Sequence, residues 1–326
     1  MRLSIIVTVY NKEQFIDKCL KSCINQVLVE PDLYEVLVIN DGSTDNSKAI
    51  IEKNLTNKNI RLVSQENRGL SVARNNGVQE AKGDYVWFVD ADDSIAPEAV
   101  SLICEASIEN PDIIPIYAKT QNENHVRNAV DVESKTGKEI LLGGRWEQCG
   151  VFTVFKRSFL LDNDLRFMPN IYHEDAEFTP RMLYSAKSVK VVPSVLYTVY
   201  RDPESITQVP RAKRAFDYLT VAESLSKYVI NVNEERSKVG RVIDNSASLC
   251  INNAFHIICQ NNKEEQVLLN KSFFEKRTSL IRVLKYASLF KYKVEALLFS
   301  FVPHHYVGIY KILSFFIGKS IKPKKA

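Results

Sequence analysis

Up to about residue 117, apolar and polar positions alternate between two rhythms. Apolar, β-branched runs at Leu3–Tyr10, Tyr34–Asn40, Ile60–Gln65, Tyr85–Asp90 and Asp112–Tyr117 predict strands buried on both faces. Helical spacing fills the gaps. Glu13–Asn25 puts Phe15, Ile16, Cys19, Leu20 and Cys23 on one face, and Asp45–Asn54 and Gly69–Ala81 follow. Pro97 suits the first turn of a further helix, which Asn110-Pro111-Asp112 ends. Strand–helix alternation of this kind predicts an α/β, Rossmann-like fold with a mostly parallel central sheet flanked by helices. On such a sheet ligands sit beyond the carboxyl ends of the strands. The exits are Tyr10-Asn11, Asp41-Gly42-Ser43, Glu66-Asn67-Arg68 and Asp90-Ala91-Asp92-Asp93, so polar and acidic groups crowd one rim.

The rhythm then changes. Residues 118–136 are polar and irregular and predict a mobile loop. Short apolar pieces around Trp146, Phe152–Phe155, Leu160–Leu161 and Val189–Val192 enclose one polar cluster, Tyr172-His173-Glu174-Asp175. From Pro210 the pattern is helical, with Phe216, Leu219, Val221-Ala222 and Leu225 on one stripe. Three parts are expected: residues 1–117 and 118–209 as the two halves of an α/β domain, and a helical region over 210–326.

Composition adds an asymmetry. The 326 residues carry 43 Lys and Arg against 39 Asp and Glu, a net charge of +4. Lys271 to the end holds 12 basic and 2 acidic residues, so the tail is strongly basic and the front acidic. Within the tail, Val294–Ile317 is rich in Leu, Phe, Tyr and Ile but broken by Glu295, Pro303, His304-His305 and Lys311, and Lys319, Lys322, Lys324 and Lys325 follow. Such a segment suits a membrane interface, or else an ordinary packed helix with a solvated lysine tail. The basic excess is confined to this apolar-rich tail and makes no case for nucleic acid. Six cysteines without a CxxC pair read as buried thiols in a reducing compartment. The first apolar run is too short for a signal sequence, and no uninterrupted stretch reaches the length of a membrane span, so a cytoplasmic protein is expected.

Each candidate motif is ambiguous alone. No glycine-rich loop follows Tyr10, which argues against nicotinamide enzymes and P-loop nucleotidases. Asp90-Ala91-Asp92-Asp93 ends a strand with carboxylates that repel unless a cation joins them, and Mg²⁺ or Mn²⁺ is the economical answer. Equally, Asp93 or Ser94 could cap the helix near Pro97. Asp41-Gly42-Ser43-Thr44-Asp45 is either a turn into a helix or a carboxylate for the imide N–H of uracil. Arg68 and Arg74 suit a diphosphate, or salt bridges to the nearby acids. Glu174-Asp175 could simply favour a helix N-terminus.

In order and spacing, however, Val9-Tyr10-Asn11, Asn40-Asp41-Gly42-Ser43-Thr44-Asp45, Glu66 to Asn75 and Asp90-Ala91-Asp92-Asp93 resemble the family 2 glycosyltransferases, inverting enzymes of the GT-A fold that use nucleotide-sugar donors. The likeness covers residues 3–100 closely. It runs more loosely through Phe152 to Arg157 and His173-Glu174-Asp175 to Tyr200-Arg201, and no family motif is found beyond about residue 210.

The resemblance implies roles. Val9, Tyr10 and Asn11 would line the nucleoside pocket and Asp41 would bond the base. Arg68 and Arg74 would support the pocket or diphosphate, Asp90 and Ala91 would face the ribose or sugar, and Asp92 would ligate the metal. Asp175, beside Glu174, would be the catalytic base. His173 reads as structural and Trp146 as core packing rather than a sugar platform. The expected protein is a metal-dependent, hexosyltransferase-type enzyme of polysaccharide synthesis. It would take a UDP-sugar and a glycan or lipid-linked saccharide, peripheral on the inner face of the cell membrane through its basic tail. A non-catalytic nucleotide-sugar-binding scaffold and a nucleotidyltransferase are the rivals.

Overall fold

The computed structural model describes residues 1–123, 125–200, 212–301 and 304–318. They form two compact units: Met1–Asn170 with Arg181–Ser205, and Ile171–Pro180 with Ile206–Ala326.

In chain order the elements are β1 (Leu3–Val9), α1 (Ile16–Ile24), β2 (Tyr34–Asp41), α2 (Ser47–Asn54), β3 (Ile60–Gln65), α3 (Leu70–Glu80), β4 (Tyr85–Asp90), β5 (Ser94–Ile95), α4 (Ala99–Ala106), β6 (Ile113–Thr120), β7 (Val126–Arg127), α5 (Gly137–Gly143), β8 (Thr153–Lys156), α6 (Arg157–Asp162), α7 (Glu174–Ser185) and β9 (Val192–Val199). The helices α8 (Ala212–Asn231), α9 (Lys238–Ile258), α10 (Lys263–Glu275), α11 (Arg277–Tyr286), α12 (Phe290–Phe301) and α13 (Tyr306–Gly318) complete the chain.

In the first unit the described strands run in the order β3-β2-β1-β4-β8-β6-β9-β5, with β7 on β6. The β1–β2, β1–β4 and β2–β3 pairs are parallel because each of these strands is followed by a crossover helix. Beyond β4 the sheet is mixed: β8 lies antiparallel to β4 and β6, and β6 pairs parallel with β9. Every residue of β1 and β2 is buried, as the uninterrupted apolar runs predict. α3 lies so close to the sheet that a Cβ on Gly77 would sit 2.5 Å from Ile6 Cγ2. Near the amino end of β1, the buried Glu35 carboxylate accepts from Ser4 Oγ (2.6 Å) and the Lys82 N–H (2.8 Å), with Arg61 Nε at 3.3 Å. Its charge is therefore fully answered inside the fold.

The helical segment expected to end at Asn110 does so: α4 passes into a 3₁₀ turn over Ser107–Glu109, and Asn110 closes it at a left-handed φ of 58°. One expectation needs correction. The segment expected to be mobile is anchored: Asn128 Nδ2 donates to Ile116 O (3.0 Å) and Phe152 O (3.2 Å), and Arg127 pairs with Glu147. A polar composition does not reveal that one asparagine substitutes for backbone pairing.

In the second unit, α9 buries Val239, Ile243, Ala247, Cys250, Ile251, Ala254, Phe255 and Ile258 at helical spacing. Phe255, Phe273, Phe299 and Tyr306 form an aromatic cluster with centroids 4.3–5.5 Å apart. Ser237 and Asn262 cap α9 and α10 by accepting from the N–H groups of Gly240 and Glu265, both at 2.9 Å. Part of the Val294–Ile317 segment is thus ordinary core: Ala296, Phe299, Tyr306 and Val307 are buried. Buried Glu295 accepts from Asn252 Nδ2 at 3.0 Å. The expected lysine tail, Lys319 to Lys325, and Arg201 lie outside the described residues.

Candidate active site

The carboxyl ends of β1 and β2 are stitched together by short polar side chains. Asn11 turns the chain at a φ of 49°, and its Oδ1 accepts from the Thr44 N–H at 2.8 Å. The N–H groups of Asn11, Lys12 and Glu13 donate to Ser43 Oγ (3.2 Å), Ser47 Oγ (2.8 Å) and Asp45 Oδ2 (3.0 Å). In return Glu13 Oε2 accepts from the Asn46 N–H at 2.8 Å. Val9 is buried beneath this seam, while Tyr10 stands 47% exposed above it. Gly42 sits at a φ of 73°, and a Cβ there would meet the Asn67 backbone nitrogen at 2.7 Å, so the close approach of the two loops requires glycine.

Asp41 is 3% exposed and ties β2 to the loop before α3. Its Oδ1 accepts from Gln65 Nε2 (2.7 Å) and the Arg68 N–H (2.9 Å), and its Oδ2 from the Gly69 N–H (2.8 Å). A carboxylate offers about four lone-pair directions, so one acceptor position is left for a ligand donor. Arg68 itself is exposed, and its guanidinium makes no ion pair among the described residues.

At the β4 exit each carboxylate has its own partner. Arg74, 2% exposed, donates from Nη2 to Asp90 Oδ1 at 2.9 Å, and its guanidinium lies 5.1 Å from the Phe167 ring centroid. Of the two readings of Arg74, the structure realises the salt bridge. Lys12 Nζ lies 2.6 Å from Asp92 Oδ2. Asp93 accepts from the Tyr197 hydroxyl (2.7 Å) and the Tyr200 N–H (2.8 Å), while the same hydroxyl accepts from the Asp90 N–H at 3.1 Å. Asp93 therefore fixes the acidic turn to β9 and caps nothing: α4 starts at Ala99, without a side-chain cap. Burial, then repulsion from Asp90, raises the Asp92 carboxyl above its usual range, and Lys12 opposes the rise. The same two causes push Asp93 up to about 8.

These acids are a fair match for a hard divalent ion. No group of three or more His, Cys, Asp or Glu among the described residues is arranged to hold a metal. Asp90 and Asp92 offer a pair of oxygen donors, which suits an ion that completes its shell from phosphate oxygens.

Glu174 and Asp175 belong to the second unit, in the first turn of α7. Both are half-buried, and Glu177, one turn on, is buried and accepts from Ser224 Oγ at 2.8 Å. His173 precedes them with its ring 3.8 Å from that of Tyr218, and burial followed by Arg214 holds it down to about 4, so it is neutral. Trp146 is half-buried, whereas Trp87 fills the core and donates to Val151 O at 2.8 Å.

Sequence reasoning missed Lys12, Tyr197 and Asn75. Asn75 forms a reciprocal pair with Phe167, donating to its carbonyl (2.8 Å) and accepting from its N–H (2.9 Å). No local signal marks any of the three, since their partners lie between 80 and 107 positions away.

Residues 4–163 match the model of glycosyl transferase family 2. They form a family 2 glycosyltransferase domain. Among its relatives is the glycosyltransferase YibD of Escherichia coli (strain K12), 28% identical over 224 residues, which are 64% of each chain. Another is the poly(ribitol-phosphate) beta-glucosyltransferase of Bacillus spizizenii, 32% identical over 219 residues, 64% of this chain and 34% of that one. The chain thus spans less than two thirds of the length of either relative. Among solved structures, S. aureus TarS 1-349 in complex with UDP-GlcNAc superposes with a TM-score of 0.75 at 21% identity, covering 98% of this chain and 92% of that one. That likeness establishes the GT-A fold for this family 2 domain with its C-terminal helices.

Proposed function

We propose that the protein is an inverting glycosyltransferase that moves one sugar from a UDP-sugar to a glycan or lipid-linked saccharide. The observation that carries the reading is the rim of the first unit, where the ends of β1, β2 and β4 bring Asn11, Asp41 and Asp92 to one edge, with Lys12 on Asp92. TarS holds UDP-GlcNAc on this fold, which supports uridine as the nucleoside. Asp41 suits an imide N–H, with Val9, Tyr10 and Asn11 around the nucleoside. Arg68 meets diphosphate charge, and Asp90, steadied by Arg74 and beside the small Ala91, takes ribose or sugar hydroxyls.

Mn²⁺ or Mg²⁺ would be held by Asp92 with Asp90 beside it, and such an ion supplies neutralisation of diphosphate charge. The acceptor hydroxyl oxygen forms the new bond to the anomeric carbon as the bond to UDP breaks and its electrons leave with the diphosphate. Asp175 accepts the hydroxyl proton. A carboxylate is a weak base, but an oxocarbenium-like transition state asks it to take the proton only as bonding develops. Glu174 adds negative charge beside it.

The peripheral membrane reading rests on α12. Phe290, Leu297 and Phe301 are exposed at spacings of seven and four, on one helical face with Lys293 among them. No described helix is long and apolar enough to cross a membrane. Anionic headgroups attract each nearby lysine by about 1 kcal/mol. Replacing Phe290, Leu297 and Phe301 by Ser should release the protein from anionic vesicles; unchanged partitioning overturns this part.

The test of the whole is thermal-shift or calorimetric binding of UDP, GDP, CDP and several UDP-sugars, each with and without Mn²⁺. Stabilisation by a UDP-sugar that needs the metal and vanishes in Asp92→Ala is expected. A folded protein without a nucleotide response overturns it. Asp175→Asn should lose turnover by orders of magnitude and keep donor binding; unimpaired biological function in that variant favours the scaffold.

A further inference from the structure

The residues in front of Glu174-Asp175 are held by a set of contacts from one face of α8 within the second unit. The Tyr172 N–H donates to Asp217 Oδ2 at 2.8 Å, and Asp217 is itself buried and paired with Lys213 at 2.6 Å. Lys213 also lies 5.0 Å from the Tyr172 ring centroid. One residue further, the His173 ring stacks on Tyr218 at 3.8 Å with 10° between the planes, and Arg214 Nε donates to His173 Nε2 at 3.3 Å. A turn beyond the acidic pair, Glu177 is bonded to Ser224. Positions 213, 214, 217, 218 and 224 follow the three-to-four spacing of one α8 face.

His173 adopts a φ of 65°, a left-handed conformation that non-glycine residues rarely take and that persists only where the surroundings enforce it. Here both ring face and ring edge are fixed, and the His173 carbonyl accepts from the Ala176 N–H at 3.0 Å to close the first turn of α7. Because Arg214 can only donate, Nε2 must be the acceptor, and the ring is neutral with its proton on Nδ1. The strained turn directly precedes Glu174 and Asp175, so the direction in which α7 sets out follows from the α8 contacts.

We propose that Arg214, Asp217 and Tyr218 of α8, acting through His173, are positioning residues that fix the carboxylate of Asp175 for proton abstraction. This deepens the reading of Asp175 as the base and rests on it. The device has a physical rationale. A base must be held within a few tenths of an ångström of its working place, and a residue in the first turn of a helix is otherwise prone to fray. Anchoring Tyr172 and His173, three and two places before Asp175, and Glu177, two places after it, removes that freedom.

The test uses the full chain with Tyr218→Leu, which removes the stack, and Tyr218→Phe, which keeps it. Hydrogen exchange is read over residues 171–178, and UDP release is read from UDP-GlcNAc or UDP-glucose with water as acceptor. Tyr218→Leu is expected to exchange this segment at least tenfold faster and to lower kcat at least tenfold, with donor KM and UDP affinity within twofold of the parent. Tyr218→Phe is expected to stay within twofold on every readout. Unchanged exchange in folded Tyr218→Leu overturns the clamp. Faster exchange with unchanged kcat, while Asp175→Asn is inactive, overturns its positioning role alone. An active Asp175→Asn instead overturns the base assignment, and the catalytic purpose of the clamp with it.

Discussion

Lys12 Nζ and Asp92 Oδ2 meet at 2.6 Å across the exits of β1 and β4, each side chain about one quarter exposed. The ammonium sits on the carboxylate proposed to hold a divalent ion, so under that proposal the two cations would compete for Asp92. The same contact opposes, without cancelling, the effects of burial and of Asp90 on the Asp92 carboxyl, while Arg74 answers Asp90.

Lys12→Met should therefore bind free Mn²⁺ more tightly, by about threefold or more, in a titration followed by electron paramagnetic resonance without nucleotide. The sign follows from removing a positive charge beside the donor oxygen, where about 1.4 kcal/mol changes affinity tenfold. Equal or weaker Mn²⁺ binding would show that the lysine and the ion do not share Asp92.

Asp41→Asn turns an all-acceptor group into one that carries two N–H donors, facing the amide of Gln65 and two backbone N–H groups. At least one of these bonds is lost and a buried donor left over, at about 1–3 kcal/mol. Chemical denaturation should register that loss. UDP binding should fall more than tenfold, because both the loop over Arg68–Gly69 and the acceptor for the base are disturbed. Normal UDP affinity would remove Asp41 from the nucleoside site.

His173 gives a pH dependence whose sign can be worked out. Its folded pKa, about 4, lies below the ordinary value of 6.5, so between these values the unfolded chain binds more protons than the folded one. Its contribution to stability is complete above about pH 6.5 and is lost as the pH falls towards 4. Arg214 beside the ring resists its protonation, while Tyr218 packs on its face. A stability profile between pH 7 and 4.5 should be flatter in His173→Asn, which tolerates a left-handed backbone and does not titrate. Parallel profiles for the two proteins would show that His173 titrates normally.

The strands and helices of the first half were legible because burial on both faces of a parallel sheet demands unbroken apolar runs, and β1 to β4 have them. The rim was legible for a related reason, since residues at consecutive strand exits must share an edge. The partners were not. Chain order leaves Asp93 open between a metal-site acid and a helix cap, and Arg74 between a diphosphate and a salt bridge. The bonds from Tyr197 on β9 and from Tyr200 just after it to Asp93, and the contact of buried Arg74 with Asp90, form only across the fold. Asn128 falls in the segment expected to be a mobile loop and Asn75 at the end of the Glu66–Asn75 motif, yet both bond distant backbone across the fold.

By itself the sequence determined the alternation of strand and helix, the identity of the polar strand ends, the acidic pair before a short helix and the basic, apolar character of the tail. Each is a local property, fixed by periodicity or by the order of residues along the chain. Tertiary structure alone decided which carboxylate meets Lys12, which meets Arg74 and which meets Tyr197, and that one face of α8 holds the strained turn at His173. Those choices depend on distances between residues that chain order leaves open, and burial then sets the charge each group keeps.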